Sequence, residues 1–159
     1  LGGGALFDAG GYTLKYADRL LGGDATVEYA KLNYVKEYDV DLYGSGVLAN
    51  AKGDIVQVSF GMDNEYKCEL EVWGSKGTLF TGRVLTAPAG FTPQVIIRKE
   101  NKDEIRQLSA DDTFKKSIAQ FAKCIKNKDV RENNYRIIKR QAQLVEDFKQ
   151  KVHEATGEK

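Results

Sequence analysis

Residues 46–61 read GVLANAKGDIVQVSFG, two apolar runs of β type on either side of the turn sequence Ala51-Lys52-Gly53-Asp54. A turn this short joins neighbouring antiparallel strands, whereas parallel strands need a crossover of about a dozen residues. The stretch therefore predicts two antiparallel strands and sets the fold class of the region around it.

The same alternation of short β-type runs and turns extends from about residue 25 to residue 108. The predicted strands are Thr26–Tyr34, Tyr38–Tyr43, Gly46–Asn50, Ile55–Gly61, Tyr66–Trp73, Gly77–Phe80, Gln94–Lys99 and Glu104–Leu108. The sequence therefore predicts one mainly antiparallel sheet.

Helical patterns flank the strands. A helix is predicted over Asp8–Leu21, closed by Gly22-Gly23. Two more are predicted after the capping sequence Ser109-Ala110-Asp111-Asp112 and over residues 131–153. Their apolar stripes are Phe114, Ile118, Phe121, Ala122 and Ile125, then Tyr135, Ile138, Ala142, Val145, Phe148 and Val152. This order predicts an α+β fold, an open and mainly antiparallel β-sheet with helices on one face.

Length and charge exclude several classes of protein. The 159 residues suffice for one domain, and 24 Lys+Arg against 23 Asp+Glu leave a net charge of +1. Nucleic-acid binders and polybasic membrane anchors depend on a basic field that this balance does not provide. No stretch approaches the roughly 20 apolar residues of a membrane span. We therefore expect neither nucleic acid nor membrane as a partner.

Histidine and cysteine are scarce. His153 is the only histidine, and Cys68 and Cys124 are far apart without a CxxC pair. This pattern argues against Ser-His-Asp and Cys-His catalysis and predicts no metal site. Low cysteine usage without a signal peptide predicts a cytoplasmic location.

Gly44-Ser45-Gly46-Val47-Leu48-Ala49 matches the letters of a dinucleotide-binding fingerprint. That fingerprint works only where a helix N-terminus follows to meet the pyrophosphate, and here a strand and a Lys-Gly-Asp turn follow. We interpret the segment as a kink or bulge between two strands, and we predict no cofactor-binding residue in this chain.

One group of polar residues could take part in catalysis. Asp8, Tyr12 and Lys15 fall on one narrow stripe of the first predicted helix. A tyrosine hydroxyl can move a proton near neutral pH if a cation or hydrogen bond stabilises the phenolate, and Lys15 stands one turn away. Asp8 could accept a hydrogen bond from a sugar hydroxyl. The alternative is that the stripe is the solvated face of an amphipathic helix.

A family resemblance bears on these alternatives. Residues 2–12, GGGALFDAGGY, followed by Leu20-Leu21-Gly22, resemble the GGGxLxDxGxY/H…LLG segment of the glucose-fructose oxidoreductase, inositol dehydrogenase and rhizopine-catabolism (Gfo/Idh/MocA) family. Residues 53–61, 70–79 and 83–88 are similar to later strands of that family, in the same order. The segment from Arg83 to Thr86-Ala87-Pro88 resembles members that reduce keto groups on nucleotide-linked sugars.

The resemblance implies a dihydrodipicolinate-reductase-like C-terminal domain over residues 1–159, with helix and sheet in 1–110 and terminal helices in 111–159. An N-terminal Rossmann domain that binds NAD or NADP would precede it. The resemblance places Tyr12 at the catalytic position and Asp8 at that of its acidic partner. Lys15 is assigned on geometry, and Lys15 and Arg83 are candidates to bind an anionic group of the substrate.

The implied function is that of a substrate-binding and oligomerisation domain in an NAD(P)-dependent oxidoreductase acting on a sugar, sugar derivative or cyclitol. The family's catalytic lysine has no counterpart here, so we expect the chain alone to be inactive. Its partners would be a carbohydrate-like substrate, its own Rossmann domain and further copies, contacted through a sheet face carrying Val56, Val58 and Phe60 or their neighbours.

Two alternatives stay open. The first is a non-catalytic sugar-binding or oligomerisation module, and the second is a small single-domain isomerase or hydratase.

Trp73 is predicted to be a core or interface anchor rather than a stacking platform.

Overall fold

The computed structural model describes residues 3–35, 37–85 and 87–156. The chain divides into two compact units. The first comprises Leu1–Asn64 and Glu132–Lys159, and the second comprises Glu65–Arg131.

The first unit holds a π turn, a helix and a three-stranded sheet. The π turn (Leu6–Gly10) leads directly into α1 (Gly11–Leu20), and Gly22, at φ +99°, follows the helix end. The strands are β1 (Thr26–Tyr34), β2 (Asp41–Ala49) and β3 (Ile55–Gly61), antiparallel in the order β1-β2-β3. Most of α3 (Lys128–Thr156) also belongs to this unit.

One face of this sheet forms the core with the helices. Its register aligns inward-facing residues in rows across the three strands, namely Leu32, Gly44 and Phe60 in one row and Ala30, Gly46 and Val58 in the next. The π turn and α1 together, residues 6–20, are called the site helix from here on. Leu6, Leu14 and Ala17 of the site helix and Leu144, Phe148 and Val152 of α3 belong to the same buried cluster. The rings of Phe60 and Phe148 are 5.9 Å apart, so α3 contacts β3 directly.

The second unit contains a four-stranded antiparallel sheet and a helix. Its strands are β4 (Leu70–Gly74), β5 (Gly77–Thr81), β6 (Gln94–Lys99) and β7 (Lys102–Gln107), in sequence order, followed by α2 (Thr113–Lys126). No residue of these four strands is fully buried. The apolar stripe of α2 is exposed as well, with Phe114 at 77% and Ile118 at 71%.

The structure confirms the α+β class and the antiparallel pairing. Four details of the prediction are wrong. The strands form two sheets rather than one, and the region around Gly44-Ser45-Gly46 lies inside a single strand instead of separating two. On α3, the stripe residues Tyr135, Ile138 and Ala142 are exposed, whereas Leu144, which the predicted stripe omits, is buried. Trp73 is 80% exposed, so its predicted role in the core is wrong, whereas a role at an interface stays a prediction.

The predicted outer face also needs correction. Val58 and Phe60 are buried beneath the helices, at 7% and 8% exposure, so they cannot form an open surface. The opposite face of the same sheet carries their strand neighbours and exposes Tyr29, Tyr43 and Ile55. The reason is the period of two along a strand, because the helices cover one set of alternating residues and leave the other set outside.

Candidate functional site

The structure places Asp8, Tyr12 and Lys15 on the exposed side of the helix that crosses the first sheet. Asp8 lies within the π turn, Tyr12 is the second residue of α1, and Tyr12 is 54% exposed. Leu14 and Ala17, on the opposite side, are buried in the core. The helix therefore buries its apolar side, and each of these three polar side chains is exposed.

This arrangement suits proton transfer to a substrate at the surface of the unit. Residues three or four apart on a helix have Cβ atoms about 5–6 Å apart, so Lys15 lies within one turn of Tyr12. The Tyr12 hydroxyl can donate to a substrate oxygen, and the Asp8 carboxylate can accept from a substrate hydroxyl.

Two residues that the sequence analysis missed fix the backbone of this helix. The buried Asp41, at the start of β2, accepts a hydrogen bond from the Leu6 N–H at 2.7 Å. Gln141 of α3 donates from Nε2 to the Gly11 carbonyl at 2.8 Å, next to Tyr12.

Strand alternation could not have identified Asp41. A register irregularity between Asn33 and Tyr34 of β1 falls opposite the start of β2, and Asp41 is buried although its alternate neighbour Tyr43 is exposed. Gln141 had no sequence signal either, because it lies beside the apolar stripe predicted for the last helix.

The end of α1 is fixed by an ion pair. Arg140 of α3 donates to Asp18 Oδ1 from Nη2 at 2.6 Å and also to the Ala25 carbonyl. Both side chains are largely shielded from solvent, so the pair is screened less than a surface one. The site helix is thus held to β2 and α3 from beginning to end.

Arg83 lies in the second unit, within an aromatic environment. Its guanidinium carbon is 5.2 Å from the centre of the Tyr66 ring and 5.8 Å from that of Phe91. It lines a cavity of about 350 Å³ together with Phe80, Gly82, Phe91, Gln94 and Ile96. A cation beside aromatic walls is suited to an anionic ligand that also carries a flat ring.

Other charged groups of this unit serve the β6–β7 hairpin. Arg98 donates from Nε to Asp103 at 2.6 Å, and this hydrogen bond lowers the pKa of Asp103. Arg106 lowers the pKa of Glu104 in the same way. All four groups are exposed and none of them lines the cavity at Arg83.

The fingerprint-like glycines do not form a cofactor cradle. Gly44 and Gly46 lie in the middle of β2, paired to β1 on one side and β3 on the other. A Cβ at Gly46 would lie 2.5 Å from Phe148 Cε2, so the space beside this glycine holds a core side chain. No helix N-terminus follows to meet a pyrophosphate, and the segment does not fit a dinucleotide.

Among residues 3–35, 37–85 and 87–156, no helix is long and apolar enough to cross a membrane.

Two known proteins that share one name are similar to this chain over most of its length. Over 125 residues the chain is 38% identical to the dTDP-3,4-didehydro-2,6-dideoxy-alpha-D-glucose 3-reductase of Actinomadura kijaniata, covering 79% of this chain and 38% of that protein. It is 33% identical to the protein of the same name from Streptomyces violaceoruber, covering 96% of this chain and 47% of that one. The chain thus spans less than half the length of these relatives.

Solved structures agree with the sequence relatives. A variant of KijD10, a 3-ketoreductase from Actinomadura kijaniata, in complex with TDP-benzene and NADP, superposes with a TM-score of 0.89 at 35% identity. The match covers 94% of this chain and 48% of that one. The oxidoreductase yvaA of Bacillus subtilis, at 11% identity and a TM-score of 0.67 over 96% of this chain and 50% of that one, shares the fold.

The family assignment rests on the segment that carries the site helix and the first sheet. Residues 1–80 match the GFO/IDH/MocA C-terminal domain. With its α+β fold and its two antiparallel sheets, the chain belongs to the Gfo/Idh/MocA family as a C-terminal domain.

Proposed function

We propose that this chain is the substrate-binding and oligomerisation part of an NADP-dependent cytoplasmic reductase that acts on the keto group of a nucleotide-linked sugar. The observation that carries the proposal is the exposed Asp8 and Tyr12 pair on a helix fixed by buried contacts. Support for the substrate class comes from relatives named as dTDP-sugar 3-reductases. Since the fingerprint-like glycines do not fit a dinucleotide, the cofactor would be held by the protein's Rossmann domain.

Bound NADPH would supply the hydride that forms the new C–H bond at the keto carbon. As the C=O electrons move to oxygen, that oxygen becomes negative and takes the Tyr12 hydroxyl proton. The resulting Tyr12 phenolate is reprotonated from solvent, and Lys15 is proposed to bind an anionic group of the substrate. Asp8 accepts a hydrogen bond from a neighbouring sugar hydroxyl and so orients the keto group toward Tyr12.

The direct test is a reductase assay on the full-length protein that carries this sequence. With NADPH and a dTDP-linked 3-keto sugar, we expect oxidation of NADPH and a product with one more hydroxyl. The free keto sugar should react more slowly, since it lacks the nucleotide. Residues 1–159 alone should be inactive. Saturable binding of the nucleotide sugar without any NADPH oxidation would instead indicate a binding module.

Arg83 is proposed to bind the anionic group of the substrate. The support is its position at a cavity with aromatic walls, which suits the base and the diphosphate of a nucleoside diphosphate. Arg83→Ala should raise KM for the dTDP-sugar by about tenfold, because a charge-assisted hydrogen bond is lost, with a smaller effect on kcat. The matched control is Arg106→Ala, an exposed arginine paired with Glu104 on β7. An unchanged KM in Arg83→Ala would remove Arg83 from the site.

A further inference from the structure

The π turn at Leu6–Gly10 is the feature of the site that the proposed mechanism does not explain. The Gly11 N–H donates to the Leu6 carbonyl, five residues back, instead of four as in an α-helix. The turn therefore contains one residue more than an α-helical turn. Asp8 lies inside it and Tyr12 follows it, so its geometry sets the angle between their side chains.

Both ends of this turn are held by side chains from elsewhere in the first unit. The Leu6 N–H, at the start of the turn, donates to Asp41 Oδ2. The Gly11 carbonyl accepts from Gln141 Nε2. The partners come from β2 and α3, 35 and 130 residues away along the chain.

Two glycines, one before the turn and one within it, let the backbone pack closely against the sheet. Gly4 has φ +75°, and a Cβ there would clash with the Asp41 carboxylate. Gly10 lies against the core, where a Cβ would be 3.0 Å from Phe60 Cζ. The turn thus packs closely against Asp41 of β2 and Phe60 of β3.

We propose that Asp41 and Gln141 are positioning residues, which hold the π turn so that Asp8 and Tyr12 face the same substrate. This inference rests on the proposed function. Neither side chain needs to contact the substrate, because each one binds a backbone group, at Leu6 or at Gly11. A misplacement of about 1 Å at a reacting group can lower a rate by as much as 10²-fold, so such a role affects kcat first.

The test uses four variants of the full-length protein, assayed for keto-sugar reduction. Asp41→Ala removes the acceptor, whereas Asp41→Asn keeps an oxygen at the same place. Gln141→Glu replaces the donor with a carboxylate of the same shape. Gln143→Glu, on the exposed side of the same helix, is the control.

We expect Asp41→Ala and Gln141→Glu to lower kcat by about tenfold or more while KM for the dTDP-sugar stays within about twofold. Asp41→Asn should recover kcat to within about threefold of the wild type, and Gln143→Glu should match it. Hydrogen exchange of the amides in residues 5–12 should accelerate in the first two variants, whereas exchange in β3 should not change.

Faster exchange in residues 5–12 with an unchanged kcat would overturn the inference and leave a purely structural role. Unchanged exchange and unchanged kcat would overturn it too. If Asp41→Ala does not fold, kcat and hydrogen exchange in residues 5–12 are compared for Gln141→Glu and Asp41→Asn instead, with the same outcomes deciding the question. Failure of the proposed function is distinguishable, because the wild-type protein would then show no reduction at all.

Discussion

Gly44 and Gly46 illustrate at the scale of single residues how packing accounts for a motif that resembles a cofactor site. Leu32 and Phe60 occupy the space beside Gly44, and Phe148 occupies the space beside Gly46. A larger residue at Gly46 would collide with Phe148 of α3, and one at Gly44 would collide with Leu32 and Phe60 of the sheet. The glycines serve the close approach of side chains rather than that of a phosphate.

Gly46→Ala should lower the free energy of unfolding by about 1–3 kcal/mol, because the added methyl group overpacks the core. The backbone at Gly46 has no positive φ, so the cost comes from contacts with Phe148 and the Tyr29 carbonyl rather than from strain. Gly82→Ala is the control, since a Cβ there meets nothing within 4 Å. Urea unfolding measures both. Equal stability of the two variants would contradict the packing account.

The sequence could predict the face of the site helix but not its anchors. Leu14 and Ala17 follow the helical period, so Tyr12 and Lys15 had to be exposed. Asp41 and Gln141 bind backbone atoms across 35 and 130 residues, and no local pattern encodes such contacts.

At the scale of elements, strands with clear turn signals were predicted most accurately. The bounds of β1, β3 and β6 agree with the predicted runs, because alternation and turns define both ends. β4 begins at Leu70 rather than Tyr66, because residues 66–69 form no strand pairs. The division into two sheets depends on pairing between distant residues and could not be predicted from local patterns.

The N-terminus of α2 gives a prediction at this scale. Asp112 is its N-cap and accepts a hydrogen bond from the Lys115 N–H at 2.9 Å. Asp112→Ala should cost about 1 kcal/mol, which corresponds to about fivefold faster hydrogen exchange in the first turns of α2. Asp112→Asn, which retains a capping oxygen, should exchange at nearly the wild-type rate. Equal rates in the Ala and Asn variants would show that the cap contributes nothing.

At the scale of the whole molecule, the outer face of the first sheet is the surface we propose for contact with another copy. It exposes Tyr29, Tyr43 and Ile55, and Ile55 is 64% exposed. A second copy of the same face would cover these apolar groups symmetrically.

Ile55→Lys should therefore shift the full-length protein toward the monomer, because a charge would be buried without a partner in the interface. Met62→Lys, in the turn after β3, makes the same change in charge outside this face and is the control. Sedimentation velocity distinguishes the species. An Ile55→Lys protein with the wild-type mass would exclude this face as the interface.

The central claim is that Tyr12 transfers the proton in a keto-sugar reduction, and Tyr12→Phe tests it most directly. The measurement is kcat of the full-length protein with NADPH and a dTDP-linked 3-keto sugar, with Tyr38→Phe, an exposed tyrosine before β2, as the control. The account predicts a loss of about 10²-fold or more in kcat for Tyr12→Phe, with KM nearly unchanged and Tyr38→Phe fully active. A Tyr12→Phe protein with wild-type kcat would contradict it.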